Sequence, residues 1–276
     1  MDEVRQFQAR DGDIAICTFP KCGTTWMNAI IEMLTHAANP ECLHDGKSLE
    51  WKNPYLELTD PDWAEERRPV RLLAKLPPDT PRTYFTHLGY DALPETVKKN
   101  AKIVFVVRNP KDTIVSMYHF NRSHYPLQFH GDLQEMINGF TEDRVTYGPF
   151  FDHTASYWSR RNDRNIFCTS FEELSLDFLG VIRRLAKFLG KDLTEDQLRT
   201  TMYECAFDQM KNNDTVNKAA VGARGYFDFN KSPFIRAGKV GNWKTHFSHE
   251  QNQQVDDWIN KNLQRPELQG LTFRYE

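Results

Sequence analysis

The sequence predicts an α/β fold in which helices flank a central parallel sheet. Two short apolar segments, residues 13–19 and 102–107, each end at a polar turn that contains a proline, and each is followed by a helical pattern. Their continuous, β-branched character is typical of strands that are covered on both faces. Strands that alternate with helices in this way indicate a parallel sheet.

Two further segments, residues 165–170 and the shorter 82–86, also predict strands. Predicted helices begin after Gly23 and after Asn109, and another amphipathic helix covers residues 178–189. Its apolar residues recur every three or four positions, as one face of a helix requires. The same spacing defines the first helix through Trp26, Met27, Ile30, Ile31 and Leu34.

Two long stretches, residues 38–81 and 211–243, show little periodicity and are predicted to be irregular. Long loops in compact domains are usually functional or poorly ordered. Four glycines within residues 211–242 predict a mobile lid, and the alternative is a rigid loop packed by its phenylalanines. Because no linker, repeat or low-complexity tract is visible, we expect a single domain over residues 1–276.

Composition narrows the class of protein. The 276 residues are 39% hydrophobic and 26% charged, which allows a substantial core. A net charge of −3 argues against general nucleic-acid binding, and no apolar run approaches the ~20 residues of a membrane span. Neither a secretory signal nor a CxxC pair among the five cysteines is visible, so we expect the cytoplasm, no disulfide framework and no structural zinc. His119, His124 and His130 lack metal-binding spacing and are predicted to be solvated or hydrogen-bonded loop residues.

The first motif that indicates chemistry is TFPKCGTTW, from Thr18 to Trp26, which leaves a predicted strand and enters a helix. A helix N-terminus binds anions because its first N–H groups are unpaired and the dipole is positive there. Gly23 permits close approach of the backbone, Lys21 adds a mobile charge, and Trp26 offers a face on which a base can stack. The alternative is an ordinary strand–turn–helix unit.

Two further basic motifs occur along the chain. Residues 107–118 (VRNPKDTIVSMY) follow the second strand, and ligands bind at the carboxyl edge of open α/β sheets, so both motifs can serve one site. Arg108 suits a phosphate clamp, and Ser116 offers a hydroxyl. Residues 236–244 (RAGKVGNWK) form a loop that can wrap an anion. Each motif alone also fits a capped surface helix or a flexible basic loop.

Together the motifs resemble the cytosolic sulfotransferases, which take a sulfuryl group from 3'-phosphoadenosine 5'-phosphosulfate (PAPS) and leave the nucleotide PAP as product. The family patterns YPKSGTTW, RNxKDxxVSxYHF and RKGxxGDWKxxF stand here as FPKCGTTW, RNPKDTIVSMYHF and RAGKVGNWKTHF, in the same order and spacing. The resemblance spans nearly the whole chain. It implies a P-loop-like nucleotide-binding sulfotransferase fold and transfer to a hydroxyl or amine of a small, hydrophobic acceptor.

The resemblance also implies residue roles. His87, in a segment similar to the family's KTHLP, is the implied general base, assisted by Lys21 and Ser116. An imidazole with an ordinary pKa near ~6.5 would suit this role. No metal is implied, because lysine and arginine supply the positive charge. The implied nucleotide contacts are Lys21, Cys22, Gly23, Thr24, Thr25, Trp26, Arg108, Ser116, Phe171, Phe207, Ile235, Arg236, Ala237 and Gly238.

Several positions depart from the family pattern and remove polar groups. They are Phe85 for a lysine, Phe171 for a tyrosine, Cys205 and Ala206 for two hydroxyl residues, Ala237 for a basic residue and Asn242 for an aspartate. Nucleotide binding is expected to be weaker unless other residues compensate. The family's dimer motif is altered within residues 244–253, so the sequence does not predict the oligomeric state.

Two other functions remain open. A nucleotide kinase would need the GK[ST] hydroxyl for Mg²⁺, which the first motif lacks. A non-catalytic nucleotide binder fits the lost polar groups, although the retained histidine, lysine and arginines argue against it. The acceptor is expected to be a small phenol, alcohol or hydrophobic amine. Aromatic residues that could line its pocket are Phe19, Phe85, Tyr90, Tyr118, Phe120, Phe129, Tyr147 and Phe151.

Overall fold

Four parallel strands form the central sheet of the protein, described here from a computed structural model over residues 2–58 and 68–276. The strands are β1 (Ile14–Thr18), β2 (Thr83–Thr86), β3 (Lys102–Val107) and β4 (Ile166–Ser170), in the spatial order β2-β1-β3-β4. The predicted α/β class and all four predicted strands are confirmed, with ends that differ by at most one residue.

The register of the strands brings their carboxyl ends to one edge of the sheet. Thr18 at the end of β1 is paired with Val106 of β3, and Cys17 is paired with Thr86 of β2. The turns that follow β1, β2 and β3 therefore leave from the same edge. This edge is where open α/β sheets bind ligands.

Helices surround the sheet. Those of the amino-terminal half are α1 (Asp2–Arg5), α2 (Thr24–Thr35), α3 (Glu41–His44), α4 (Leu49–Lys52), α5 (Pro69–Lys75), α6 (Glu95–Asn100), α7 (Pro110–Ser123) and α8 (Leu133–Thr141). They continue with α9 (Phe150–Trp158), α10 (Phe171–Leu176), α11 (Phe178–Leu189), α12 (Glu195–Glu204), α13 (Phe207–Lys211), α14 (Ala219–Gly222) and α15 (His249–Leu263). The predicted helices after Gly23, after Asn109 and over 178–189 are confirmed.

Other expectations need correction. The stretch 38–81 is not irregular throughout, since it contains α3, α4 and α5, while its residues 59–67 lie outside the described part of the chain. These helices are too short to show a helical repeat in sequence. His119 is not a loop residue, because α7 extends to Ser123.

The sheet separates two hydrophobic cores, because successive side chains of a strand point to opposite faces. Ile103 and Phe105 of β3 belong to one core, and Val104 and Val106 belong to the other. Both faces of the strands are covered, which explains their continuous apolar sequence. All five cysteines are unpaired thiols. Within the described residues, the helices are too short or too polar to cross a membrane.

Candidate active site

A cavity of about 820 Å³ opens at the carboxyl edge of the sheet. Its walls come from the turn after β1, from α4 and residues 54–58, from the ends of β2 and β3, from α7, and from residues 205–238. The structure brings together on this cavity every residue that the resemblance implicated except Cys22: Lys21, Gly23, Thr24, Thr25, Trp26, His87, Arg108, Ser116, Phe171, Phe207, Ile235, Arg236, Ala237 and Gly238.

Cys22 does not face the cavity. Its side chain is fully buried, with Sγ 3.6 Å from the hydroxyl of Thr113, and its N–H donates to the carbonyl of Phe19 at 3.2 Å. In this tight turn the side chain points into the core between β1 and α7. Neither the side chain nor the N–H of Cys22 is thus directed at the cavity, and the expected nucleotide contact of Cys22 stays a prediction.

The turn after β1 leaves the first N–H groups of α2 available to bind an anion. Gly23 has φ 102°, a left-handed conformation that favours glycine, and a Cβ there would lie 3.1 Å from the Phe171 ring. The first intrahelical bond runs from the N–H of Met27 to the Gly23 carbonyl. The amides of residues 24–26 thus have no acceptor within the helix and sit at its positive end.

Lys21 extends its ammonium group between two aromatic rings. Its Nζ lies 4.2 Å from the ring centre of Phe120 and 4.6 Å from that of Phe234. Burial, followed by the positive charges around it, Lys218 first, lowers the pKa of Lys21 to about 7. Removing an ammonium from water disfavours its charged form, and an anion in the cavity would reverse that effect.

Arg108 follows β3 and is held by backbone carbonyls. Its guanidinium donates to the carbonyl of Lys21 at 3.1 Å and to that of Lys239 at 3.4 Å, and it lies 4.1 Å from the Phe171 ring centre. Its buried Nε has no hydrogen-bond partner within the described residues. Ser116 lines the same cavity from α7.

Arg236 reaches the cavity from the carboxyl-terminal motif. It donates to Oδ1 of Asn242 at 2.6 Å, and burial lowers its pKa. An amide oxygen carries no charge, so this contact does not neutralise the guanidinium. In the described part of the chain, Lys21, Arg108 and Arg236 have no ion pair with a carboxylate.

Aromatic residues form the end of the cavity next to α2. The Trp26 indole lies edge-on to Phe171, with ring centres 5.2 Å apart, and its Nε1 donates to the carbonyl of Cys205 at 2.9 Å. Gly238, with φ 60°, lies against Phe207 so closely that a Cβ would meet its ring at 2.2 Å. These flat apolar surfaces suit a heterocyclic base.

His87 follows β2 and is oriented by Thr18. Its Nδ1 lies 2.8 Å from the Thr18 carbonyl oxygen and 3.2 Å from the Thr18 hydroxyl. Because a carbonyl only accepts, Nδ1 carries the hydrogen and Nε2 is the basic atom. Burial lowers the pKa of His87 to about 4, helped by the charges of Lys218 and Lys21. The expectation of an ordinary imidazole pKa was wrong, because the ring is buried beside cations.

Three aromatic rings surround His87. Their centres lie 5.1 Å from it for Tyr55, 5.9 Å for Phe85 and 5.5 Å for Tyr147, and the two tyrosine hydroxyls hydrogen-bond to each other. Of the aromatic residues expected in an acceptor pocket, Phe85, Phe120 and Tyr147 line the cavity, whereas Phe19, Tyr90, Tyr118, Phe129 and Phe151 do not. Phe19 and Phe151 are core residues.

Sequence reasoning missed two charged residues of this region. Oε1 of Glu57 accepts the backbone N–H of His87 at 2.7 Å, and burial raises the pKa of Glu57 to about 7. Lys218 lines the cavity with Nζ 4.4 Å from the Phe234 ring centre. Both residues lie in stretches without a recognisable motif, and a lone charged residue in a polar stretch usually indicates a solvated surface.

One group of side chains within the described residues has the spacing of a metal site: Glu32, His36 and Cys42, with ligand atoms within 4.8 Å of one another. It lies outside the cavity wall. The Lys52 ammonium, 4.0 Å from the Glu32 carboxylate, already supplies this group with the positive charge that a metal ion would bring. Burial raises the pKa of Cys42 to about 12, which opposes the thiolate that a metal requires.

Known proteins are similar to this chain in sequence and in fold. A family model described as a sulfotransferase domain matches residues 11–267. Sulfotransferase 1B1 of Mus musculus is 35% identical over 273 residues, covering 98% of this chain and 89% of the relative. Sulfotransferase 1C2 of Homo sapiens is 31% identical over 274 residues, covering 99% and 88%.

Solved structures agree with this match. A retinol dehydratase in complex with androsterone and the inactive cofactor PAP has a TM-score of 0.87 at 26% identity and covers 99% of this chain and 85% of its own. A mouse sulfotransferase complexed with PAP has a TM-score of 0.75 at 28% identity, with coverage of 97% and 89%. The fold, the ordered motifs and the family match lead to one conclusion: this chain belongs to the sulfotransferase family and is a PAPS-dependent sulfotransferase.

Proposed function

We propose that this protein transfers a sulfuryl group from PAPS to the hydroxyl of a small lipophilic acceptor, with His87 as general base. The observation that carries the proposal is the convergence of Lys21, Arg108 and Arg236 on one cavity without carboxylate partners in the described chain. Unpaired cations that are partly buried are costly in free energy, and a ligand with two separated anionic groups relieves that cost.

The cavity offers a separate surface for each part of such a nucleotide. The amides of residues 24–26 and the Lys21 ammonium are proposed to bind the 5'-phosphosulfate, and PAPS supplies the activated sulfuryl group when bound. Arg108 and Arg236, with Ser116 and the Gly238 amide, are proposed to bind the 3'-phosphate. The base would lie among Trp26, Phe171, Phe207 and Ile235, with Ala237 beside the 3'-phosphate.

His87 is oriented to accept a proton through Nε2, because the Thr18 carbonyl holds the hydrogen on Nδ1. With a pKa of about 4 it is a weak base in the free protein. An anionic nucleotide offsets the charges of Lys21 and Lys218, which raises the pKa of His87 toward the value a base needs. Lys21 then stabilises negative charge that develops on the leaving oxygen.

The acceptor end of the cavity favours a neutral, apolar molecule. Rings of Tyr55, Phe85 and Tyr147 enclose His87, while the ammonium groups of Lys21 and Lys218 repel a protonated amine. The solved retinol dehydratase complexes contain androsterone and retinol, which are lipophilic molecules with a hydroxyl group. We therefore favour an alcohol or phenol over an amine.

Two measurements test the proposal. Calorimetry should show that PAP binds far more tightly than 5'-AMP, without added metal, and labelled PAPS should transfer its sulfuryl group to a simple phenol or lipophilic alcohol. PAP binding without transfer would favour the non-catalytic binder, and phosphoryl transfer from ATP with Mg²⁺ would favour the kinase. We further propose a single domain over residues 1–276, a cytoplasmic location, and neither nucleic acid nor membrane as partner.

A further inference from the structure

The ammonium groups of Lys218 and Lys21 both lie close to the ring of Phe234 inside the cavity. Lys218 Nζ lies 4.4 Å from the Phe234 ring centre and Lys21 Nζ lies 4.6 Å from the same point, so the two ammonium groups are at most about 9 Å apart. Both side chains line the cavity, which also contains His87. Lys218 therefore carries its charge into the same cavity as Lys21 and His87.

The backbone around Lys218 makes defined contacts with other parts of the protein. Lys218 has φ 64°, a left-handed conformation uncommon for a side-chain residue, and caps the start of α14. The preceding residues are tied to the other wall, since the Thr215 carbonyl accepts the N–H of Leu49 at 2.9 Å and Asn213 donates to the Leu43 carbonyl at 2.9 Å. Glu50 of α4 then forms an ion pair with the Lys218 ammonium.

The charge of Lys218 acts on both Lys21, at the proposed nucleotide site, and His87, the proposed base. It is the first of the neighbouring charges that lower the pKa of Lys21, ahead of Arg108 and Arg236, and it also lowers the pKa of His87. Among the described neighbours that act on Lys21, Cys22 acts in the opposite direction. A cation at this point can therefore act on charge that develops between the nucleotide and the acceptor.

Phe85 stands where the sulfotransferase pattern has a positively charged residue. The sulfotransferase pattern has a lysine there, two residues before the histidine, whereas Phe85 packs its ring against Tyr55, with ring centres 4.8 Å apart. The wall that carries β2 thus offers no ammonium group at this position. Lys218 enters the same cavity from the segment that follows α13.

We propose that Lys218 is a catalytic residue that supplies the second ammonium group of the sulfuryl-transfer site, in place of the lysine lost at Phe85. This inference rests on the proposed function. Glu50 holds the ammonium in the free protein, and an anionic sulfuryl oxygen competes for it when nucleotide is present. Fixed cations aimed at developing charge lower the barrier because they need no reorganisation during the reaction.

The first experiment compares Lys218→Met with Lys231→Met. Lys231 is a matched control: it belongs to the same segment, lies 3.8 Å from a carboxylate oxygen of Asp228 and 5.6 Å from the Tyr125 ring centre, and does not line the cavity. We expect Lys218→Met to lower kcat by about 10- to 100-fold and Lys231→Met to leave it nearly unchanged. Equal activity of Lys218→Met and wild type would overturn the proposal.

Two more variants distinguish a catalytic role of the Lys218 ammonium from a structural role of its ion pair with Glu50. Glu50→Gln removes the ion pair but leaves the ammonium, so turnover should persist if charge is what matters. Phe85→Lys in the Lys218→Met background returns an ammonium group at position 85 and should raise kcat at least about tenfold. If Glu50→Gln reproduces the Lys218→Met defect and Phe85→Lys gives no rescue, Lys218 only holds the segment in place.

A binding measurement distinguishes failure of this inference from failure of the proposed function. Without the Lys218 charge the pKa of Lys21 rises, so PAP binding at pH 8 should take up fewer protons in Lys218→Met than in wild type. Unchanged proton uptake and unchanged kcat in an active protein would overturn the role of Lys218 alone. A wild-type protein that neither binds PAP nor transfers from PAPS would overturn both proposals.

Discussion

Binding of PAP should draw a proton into the protein at alkaline pH. The pKa of Lys21 is about 7 in the free protein, lowered by burial and by Lys218, Arg108 and Arg236. At pH 8 a group with this pKa is about nine-tenths deprotonated, and at pH 6 about one-tenth. An anion beside Nζ favours the charged form and raises the pKa, so binding should take up nearly one proton at pH 8 and almost none at pH 6 from this group.

Isothermal titration calorimetry in two buffers of different ionisation enthalpy measures this uptake directly. The phosphate groups of PAP are fully ionised at pH 8, since their second pKa lies near ~6, and contribute little there. Lys21→Met is the control, because it removes the titrating group and keeps a side chain of similar length between the Phe120 and Phe234 rings. Its uptake at pH 8 should fall close to zero.

Two results would refute this reasoning. Wild-type protein that binds PAP at pH 8 with no proton uptake would mean that Lys21 is already an ordinary ammonium in the free cavity. Uptake that persists in Lys21→Met would assign the proton to another group, such as Glu57, whose pKa burial raises to about 7. In either case the unpaired cation would not be the feature that selects an anionic ligand.

Three further predictions concern individual side chains, and a fourth concerns residues 211–242. His87→Ala should leave PAP affinity nearly intact and lower turnover by ~10²–10⁴-fold in a PAPS assay, and retained activity would exclude the base. By calorimetry, Arg108→Ala and Arg236→Ala should each lower the affinity for PAP by roughly tenfold or more, and the affinity for 5'-AMP should fall far less. Burial lowers the pKa of His153 to about 3, so below pH ~6.5 the unfolded chain takes up a proton there that the folded protein does not, and the free energy of unfolding falls as the pH drops toward 3. Between pH 7 and 4.5, the free energy of unfolding measured with denaturant should fall by about 2–3 kcal/mol less in His153→Phe than in wild type. Hydrogen exchange should slow across residues 211–242 when PAP binds, and equal protection without PAP would exclude a lid.

The sheet was predictable because its strands are covered on both faces and therefore form continuous apolar runs. The meeting of Lys21, His87 and Arg108 was predictable for a related reason, since the carboxyl ends of parallel strands share one edge. Short helices such as Leu49–Lys52 escaped notice because a single turn has no periodicity. Its buried Leu49 is the one apolar residue that such a turn anchors in the core.

The remaining differences between expectation and structure concern tertiary contacts that the local sequence does not encode. Cys22 lies within an anion-binding motif, yet the direction of one side chain in a tight turn depends on its packing against Thr113. The acceptor-side charges of Glu57 and Lys218 come from segments without periodicity, and only the fold places them next to His87 and Phe234. Likewise, the pKa of His87 depends on burial and on the cations opposite it, and neither is visible in sequence.

The perturbed groups of the cavity respond to a nucleotide in the same direction. The pKa values of Lys21, Arg236 and His87 are all lowered first by burial and then by neighbouring positive charge, so one polyanion offsets the charge contribution at all three groups. If His87 is the base, as proposed, an acceptor that enters first would meet an imidazole whose pKa is lowered. We expect PAPS to offset the nearby positive charge and so to make the same imidazole a stronger base. On the proposed mechanism, nucleotide binding therefore favours proton removal as well as supplying the sulfuryl group.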